Sequence, residues 1–368
     1  MKVAVIGTVG VPANYGGFET LVENLLAKQQ NPEIQYAVYC SARNYKEKRW
    51  VYKGAKTLYL PFKANGIQSI VYDIVSIVRA LRQADVLLIL GVSGCLVLPL
   101  VRLFYKKRII VNIDGLEHRR AKWKNYVRKF LKRSEATPPP AVKNADVIVS
   151  DNKGIQDYVR HEYGKESVMI EYGGDHVLCD IPVVEQDVLS DFGLVAGEYA
   201  MALCRIEPEN NVEMILEAFS QTSEKLLFIG NWSHSEFGRR MMKTYADRPN
   251  LIIHPAVYDI VALNVLRANC RYYLHGHSAG GTNPSLVEAM FFGRPVFAFD
   301  VVYNRETTEG KACYFSSMEE LKRLLTAKPI DGQEMEIIAR RRYTWDTIVR
   351  KYEALYNNET EDSLEENL

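Results

Sequence analysis

Apolar and polar positions along the chain follow two rhythms. Short, nearly continuous apolar runs at 2–7, 36–40, 57–61, 86–90, 108–113 and 147–150 read as strands buried on both faces. Between several of them, stretches such as 18–28, 69–83 and 122–132 place apolar residues at helical spacing. This succession predicts a mostly parallel sheet covered on both faces, with ligands at the carboxyl ends of its strands. A second cycle repeats the pattern, with strand-like runs at 199–204, 225–230, 251–254, 272–275 and 295–298. Helical patterning falls between them at 212–220, 237–245, 262–267 and 284–292. The interruption at 178–191, with Pro182 and several acids, marks the expected boundary. The pattern therefore predicts α/β domains at 1–178 and 179–333, one helix over 334–356, and an acidic tail at 357–368 without fixed structure.

Length agrees, since 368 residues exceed the roughly 250–300 that one core serves. The hydrophobic fraction of 47% excludes a disordered or collagenous chain. The net charge of +1 conceals a split. Residues 1–178 hold 27 Lys+Arg against 16 Asp+Glu, and the remainder 19 against 29. Two domains with different partners follow from that asymmetry. The six cysteines form no C-x-x-C pair, and with the absence of a leader before the first strand they point to a reducing cytoplasm. The uncharged run 86–101 is shorter than the roughly 20 residues of a membrane span. Gly91, Gly94 and Pro99 interrupt it, so a buried strand followed by a loop and a helix is expected.

Candidate chemistry clusters after strands. The first loop, residues 7–19, ends in Gly16-Gly17 before a helix. It is either a turn that needs positive φ or a place where backbone approaches an anion. Asp114, Glu117 and His118 follow the apolar run 109–111, where a carboxylate can bind a hydroxyl or take its proton; Asp114-Gly115 also suits a plain turn. Arg205, after the run 199–204, can form a bidentate pair with a diphosphate or a structural ion pair. The densest signal is 275–290, where His275 and His277 precede Gly281, Thr282, Asn283, Pro284 and Ser285. Pro284 suits the first helical position, so amides from Gly281 to Ser285 would point at a phosphate and Glu288, one turn on, at sugar hydroxyls.

One stretch carries no acid at all. Residues 119–133 surround Trp123, Tyr126, Phe130 and Leu131 with cations including Lys122, Lys124, Arg128 and Lys129. This fits an interfacial helix on anionic lipid, a solvated basic face or, without any accompanying motif, nucleic acid. No dinucleotide fingerprint and no Asp-x-Asp triplet occurs, so neither an NAD cofactor nor an essential metal is expected.

At these residues the sequence resembles a GT-B glycosyltransferase of family 4, nearly end to end: Gly16-Gly17, Arg205, 284–290, Gly293-Arg294-Pro295-Val296 and Tyr343-Thr344-Trp345-Asp346. More narrowly, 15–19, 114–117 and 275–285 resemble a bacterial branch that includes polysaccharide rhamnosyltransferases. The resemblance implies two Rossmann-like domains facing a central cleft, with the C-terminal helix returning to the N-terminal domain. It implies a retaining transfer of a sugar, rhamnose from a dTDP donor, onto a lipid-linked or growing capsule or cell-wall polysaccharide, by an enzyme held peripherally on the inner face of the cell membrane. Carried over by position, Arg205 and the 282–285 amides hold the diphosphate, Glu288 the ribose, and Gly16-Gly17 lean in from the first domain. Asp114, with Glu117 beside it, faces the reacting sugar, and His118 lies on the acceptor side. Two positions depart from the pattern: Gly280 stands where the family has a glutamate eight residues before Glu288, and Asn210 where it has a lysine. These departures keep two alternatives open, a nucleotide-sugar 2-epimerase of the same fold and a non-catalytic nucleotide-sugar-binding subunit.

Overall fold

The computed structural model describes residues 1–13, 16–66, 68–113, 140–180, 185–327 and 330–358. Among them the chain forms two compact units, one of residues up to Tyr172 together with those from Trp345 on, the other running from Gly173 to Thr344.

The first unit is built on an eight-stranded sheet of order β3-β4-β2-β1-β5-β6-β7-β8. Its central strands are β1 (Lys2–Ile6), β5 (Val86–Leu90) and β6 (Arg108–Asn112), flanked by β2 (Gln35–Ser41) and β4 (Ala55–Leu60) on one side. On the other side lie β7 (Val147–Ser150) and β8 (Val168–Met169). Every pairing is parallel except that of the two-residue β3 (Val51–Tyr52) with β4. All five residues of β5 are buried, which explains its unbroken apolar run: a strand covered on both faces has no solvent side to alternate with. β1 pairs with β2 on one edge and with β5 on the other, so the strand order reverses there. The crevice of such a sheet opens at that switch point, here the loops 7–13 and 91–94.

The second unit carries a six-stranded, all-parallel sheet of order β11-β10-β9-β12-β13-β14. Its central strands are β9 (Tyr199–Leu203) and β12 (Tyr272–His275). Outward lie β10 (Lys225–Ile229) and β11 (Leu251–His254) on one side, β13 (Val296–Phe299) and β14 (Cys313–Phe315) on the other. Alternate residues of β9 feed opposite cores, Tyr199 and Met201 on one face, Ala200 and Ala202 on the other. The order reverses at β9 and β12, so loops 204–211 and 276–283 flank this unit's switch point.

The chain end differs from the single helix expected over 334–356. Two helices form, Gln333–Arg342 and Trp345–Asn357. Met335, Ile338 and Ala339 of the first pack in the second unit's core. Trp345, Ile348, Val349, Tyr352 and Leu355 of the second pack in the first unit's core, against Leu21, Leu25 and Val38. Tyr343 fixes the break: it is buried, and its hydroxyl donates to the Thr307 carbonyl at 2.9 Å. The return to the first unit is tied down by polar bonds as well. Asn112 donates to the Tyr352 hydroxyl at 2.7 Å, and the Glu353 carboxylate accepts from the Gln30 and Asn31 amides. The earlier boundary also lies before the expected residue 178, because Gly174 already donates to the Tyr343 carbonyl within the second unit.

The run 86–101 resolves as anticipated into a strand, a loop, a 3-10 turn (Cys95–Val97) and the helix Leu98–Phe104. No helix among the described residues is long and apolar enough to cross a membrane.

Candidate functional site

At the second switch point the two loops are laced together by side chains. Arg205 follows β9, half-exposed, with its Nη2 3.8 Å from Glu209 Oε1. Asn210 is buried and donates from Nδ2 to the Arg205 carbonyl at 2.6 Å. That bond fixes the amide's orientation, so its Oδ1 faces His277 Nδ1 at 2.5 Å and accepts from it. Asn211, in the left-handed region at φ 50°, donates to the Gly276 carbonyl at 2.8 Å. Ser278 donates from both its amide and its hydroxyl to the Glu209 carbonyl, and Asn304 donates to the His277 carbonyl at 2.9 Å. The Arg205 loop is therefore held from below by the 276–283 loop, leaving the guanidinium at the surface of the switch point. Asn210, where the family that the sequence resembles has lysine, is turned inward as a staple.

Gly280 has a comparable explanation. Its φ of 106° lies in a region that L side chains rarely adopt, and an added Cβ would stand 3.4 Å from His277 Nε2. The loop conformation itself disfavours a glutamate at this position. His275, ending β12, is buried; burial, with His277 nearby, pushes its pKa well below the usual imidazole value, so it is neutral.

The helix Pro284–Met290 begins at the end of this loop with Pro284 in its first turn. Asn283 caps it, its Oδ1 accepting from the Ser285 amide at 3.1 Å and from the Ser285 hydroxyl at 2.9 Å. Of the groups expected to face a phosphate, both donors of Ser285 are thus engaged in the cap. Thr282 is buried in the same loop. Glu288, one turn on, accepts from Arg267 Nη2 at 2.6 Å through Oε2, and its Oε1 lies 3.6 Å from His176 Nε2. Arg267 is only 2% exposed. Burial lowers the His176 pKa and Arg267 reinforces the shift, against the pull of Glu288. Sequence reasoning found Glu288 without Arg267 and His176. The one signal was a cation ending the mostly apolar stretch 260–267.

In the first unit, the loop after β1 is pinned by two helix carboxylates. Glu19, buried, accepts from the Thr8 hydroxyl at 2.9 Å and the Val9 amide at 2.7 Å. Glu23 accepts from the Ala13 amide at 3.1 Å and pairs with Lys53 at 2.6 Å. Burial alone would raise the Glu23 pKa, but the Lys53, Tyr52 and Ala13 donors outweigh it and hold it below the usual value. Gly16 caps the helix Gly17–Ala27 at φ 128°, and a Cβ there would meet Glu19 Oε2 at 2.0 Å. The glycine leaves room for the carboxylate that shapes the loop. Across the switch point, Asp73 is buried and accepts from the Ser93 hydroxyl. Burial pushes its pKa up to about 7. Asp114, Glu117, His118, Lys122, Trp123, Lys124, Arg128 and Lys129 lie outside the described residues.

A family model described as "Domain of unknown function (DUF1972)" matches residues 1–175. No curated protein matches the chain in sequence. Solved structures match over both units. Sucrose-phosphate synthase from Thermosynechococcus elongatus aligns with TM-score 0.78 at 15% identity, covering 97% of this chain and 98% of that one. HepE of Anabaena, solved with UDP-glucose, gives 0.72 at 13% identity over 97% and 99%. The lipopolysaccharide outer core galactosyltransferase WaaB gives 0.65 at 16% identity over 96% and 98%. The fold is that of the GT-B glycosyltransferases, as the motifs of the sequence implied.

Proposed function

We propose that this chain is a retaining glycosyltransferase that moves a sugar from a nucleotide-diphosphate donor onto a lipid-linked or growing polysaccharide. The observation that carries the reading is Arg205, presented at the second switch point by a loop that Asn210, Asn211, Ser278 and Asn304 hold in place. Such a site suits a leaving diphosphate, whose developing charge a preorganised donor stabilises by about 3–4 kcal/mol. Structural neighbours that include HepE in complex with UDP and with UDP-glucose, and a galactosyltransferase, support a nucleotide-sugar donor.

In this reading Arg205 offsets charge on the departing phosphate, and the Gly281, Thr282 and Asn283 amides complete the cradle. Glu288, oriented by Arg267, binds the ribose. Through the resemblance Gly16 and Gly17 are assigned to the donor, and Asp114, with Glu117, to the reacting sugar. The leaving phosphate itself assists deprotonation of the acceptor, so no enzyme nucleophile is needed. Rhamnose from a dTDP donor is the preferred sugar, through the branch resemblance at 275–285, and the basic segment 119–133 holds the enzyme on the inner face of the membrane. No resident metal enters the scheme; loss of turnover in EDTA with pure protein would overturn that part.

The test is a panel of nucleotide sugars, with release of nucleotide diphosphate followed with and without a polyprenyl-diphosphate-linked sugar. Acceptor-dependent release is expected, reduced roughly tenfold or more by Arg205→Ala at unchanged melting temperature. Isomerisation of the donor alone would establish the epimerase instead. Donor binding without either reaction would establish a non-catalytic subunit.

A further inference from the structure

The helix Leu98–Phe104 is apolar on both faces. Leu98 and Val101 are buried in the first unit, while Leu100, Leu103 and Phe104 are 61%, 73% and 78% exposed. Leu96, on the preceding 3-10 turn, is 52% exposed and extends the same row at helical spacing. The helix Gln68–Ala80 packs against that turn and leaves Val71 and Val78 half-exposed. Single exposed leucines are ordinary, but four large apolar side chains in one row on a two-sided helix mark a surface that is covered in use.

Charge identifies the cover. No acid occurs from Val86 through Ile113; Arg102 lies within the span of the apolar row, and Lys106, Lys107 and Arg108 follow it. The two arginines are committed to the fold: Arg102 pairs with Asp146 at 2.7 Å, and Arg108 donates to the Leu355 carbonyl. Lys106 and Lys107 have no ion pair among the described residues, and neither has Lys143, exposed on the helix Pro140–Asn144 that packs on Leu98–Phe104. Tyr105, the two lysines and the two arginines line an open recess of about 350 Å³ whose one acid, Asp146, is already paired. An apolar ledge thus adjoins a cationic recess of a size to take a phosphate headgroup.

We propose that the helix Leu98–Phe104 seats the first unit on an anionic phospholipid bilayer. Leu96, Leu100, Leu103 and Phe104 enter the acyl boundary while Lys106 and Lys107 meet lipid phosphate in the recess. Leucine and phenylalanine beside lysines on one short element is the composition of an interfacial helix, the lysine stems reaching the headgroup level. A second copy of the chain fits the same face poorly, because a two-fold contact would set its unpaired lysines against one another. The inference goes beyond the catalytic reading and holds whether or not the chain transfers a sugar. It rests on residues other than the basic segment 119–133.

The full chain is tested by co-flotation with phosphatidylcholine vesicles, with and without phosphatidylglycerol. Wild type should float with the anionic vesicles. Leu100→Ser/Leu103→Ser/Phe104→Ser and, separately, Lys106→Glu/Lys107→Glu should each weaken binding roughly tenfold or more, at unchanged melting temperature. Donor turnover with a water-soluble acceptor reads the catalytic proposal independently and should not change in either variant. Wild-type flotation by both variants overturns the inference, as does an absence of wild-type binding. Loss only on neutralising Lys122, Lys124, Arg128 and Lys129 assigns the anchor to that segment instead. A wild-type dimer that the serine variant converts to monomer, without vesicle binding, makes this face a self-association surface.

Discussion

Replacing Arg267 by methionine tests how the Glu288 carboxylate is held. Arg267 is 2% exposed and donates to Glu288 at 2.6 Å, while the Glu288 side chain retains 16% exposure. Unit charges about 4 Å apart at an effective dielectric of ~20 attract by ~4 kcal/mol. Removing one member of a fully buried pair costs ~3–5 kcal/mol, most of it from the charge left behind. Water reaches Glu288, so Arg267→Met should destabilise the second unit by no more than the lower limit of that range, ~2–3 kcal/mol. Glu288→Gln alone strands the more deeply buried arginine and should cost at least as much. The double variant strands neither charge and should lie within ~1 kcal/mol of wild type, a coupling of ~2 kcal/mol or more. His176 supplies a second readout. Its pKa is lowered by burial and by Arg267, so in Arg267→Met it rises toward the Glu288 carboxylate that remains. Wild type, with the lower folded-state pKa, loses more stability than the variant as pH falls through the imidazole range, so the defect should shrink from about pH 8 to pH 5. Native-state hydrogen exchange of β12 and of the helix Pro284–Met290 follows this unit alone, and imidazole NMR follows His176. A coupling below ~0.5 kcal/mol, with a defect independent of pH, would refute the ion-pair account.

Three further substitutions separate local causes. Asp73 is protonated in the fold up to about pH 7, whereas an unfolded aspartate ionises near pH 4. The stability its neutral form contributes is present below that lower value and lost progressively as pH rises from about 4 through 7, so Asp73→Asn should match wild type below about pH 4 and exceed it by up to a few kcal/mol at pH 8, read by urea titration. Asn210→Lys, which restores the residue of the family pattern, should lower donor turnover, because lysine cannot accept from His277 and the site is buried; increased turnover would show the staple to be dispensable. Gly280→Ala should cost about 1–3 kcal/mol through its backbone conformation, visible as a lower melting temperature, and unchanged stability would contradict the positive φ.

The strands that carry the fold were legible because a parallel sheet covered on both faces leaves its central strands no polar side. β5 and β9 read directly as apolar runs. β3 and β8, two residues each at the sheet margins, have too few side chains for any period to show. The helix Lys153–Tyr163 was missed because only Ile155 and Val159 are buried on it; its cap, Asn152 accepting from the Gly154 amide, was the readable sign. Over 334–356 the apolar spacing continues through Tyr343 and Thr344, so the pattern alone could not reveal that its two halves serve different cores.

The site divides along the same line. Gly16, Arg205 and Pro284 stood out as candidates because each stands next to a strand end or helix start, which local sequence marks. Their supports were not, because those bonds close across long loops. Asn210 meets His277 67 positions away, and Arg267 reaches Glu288 across 21. The two departures from the family pattern acquire a common cause from this. A lysine at 210 would remove the acceptor that fixes His277, and a glutamate at 280 would require a backbone that the His277 loop does not adopt. Asn210 and Gly280 are therefore two parts of one arrangement, in which the 204–211 and 276–283 loops lock to each other beneath Arg205. If that is so, exchanging both positions together should be no better tolerated than exchanging either alone, since neither family residue supplies what the other removes.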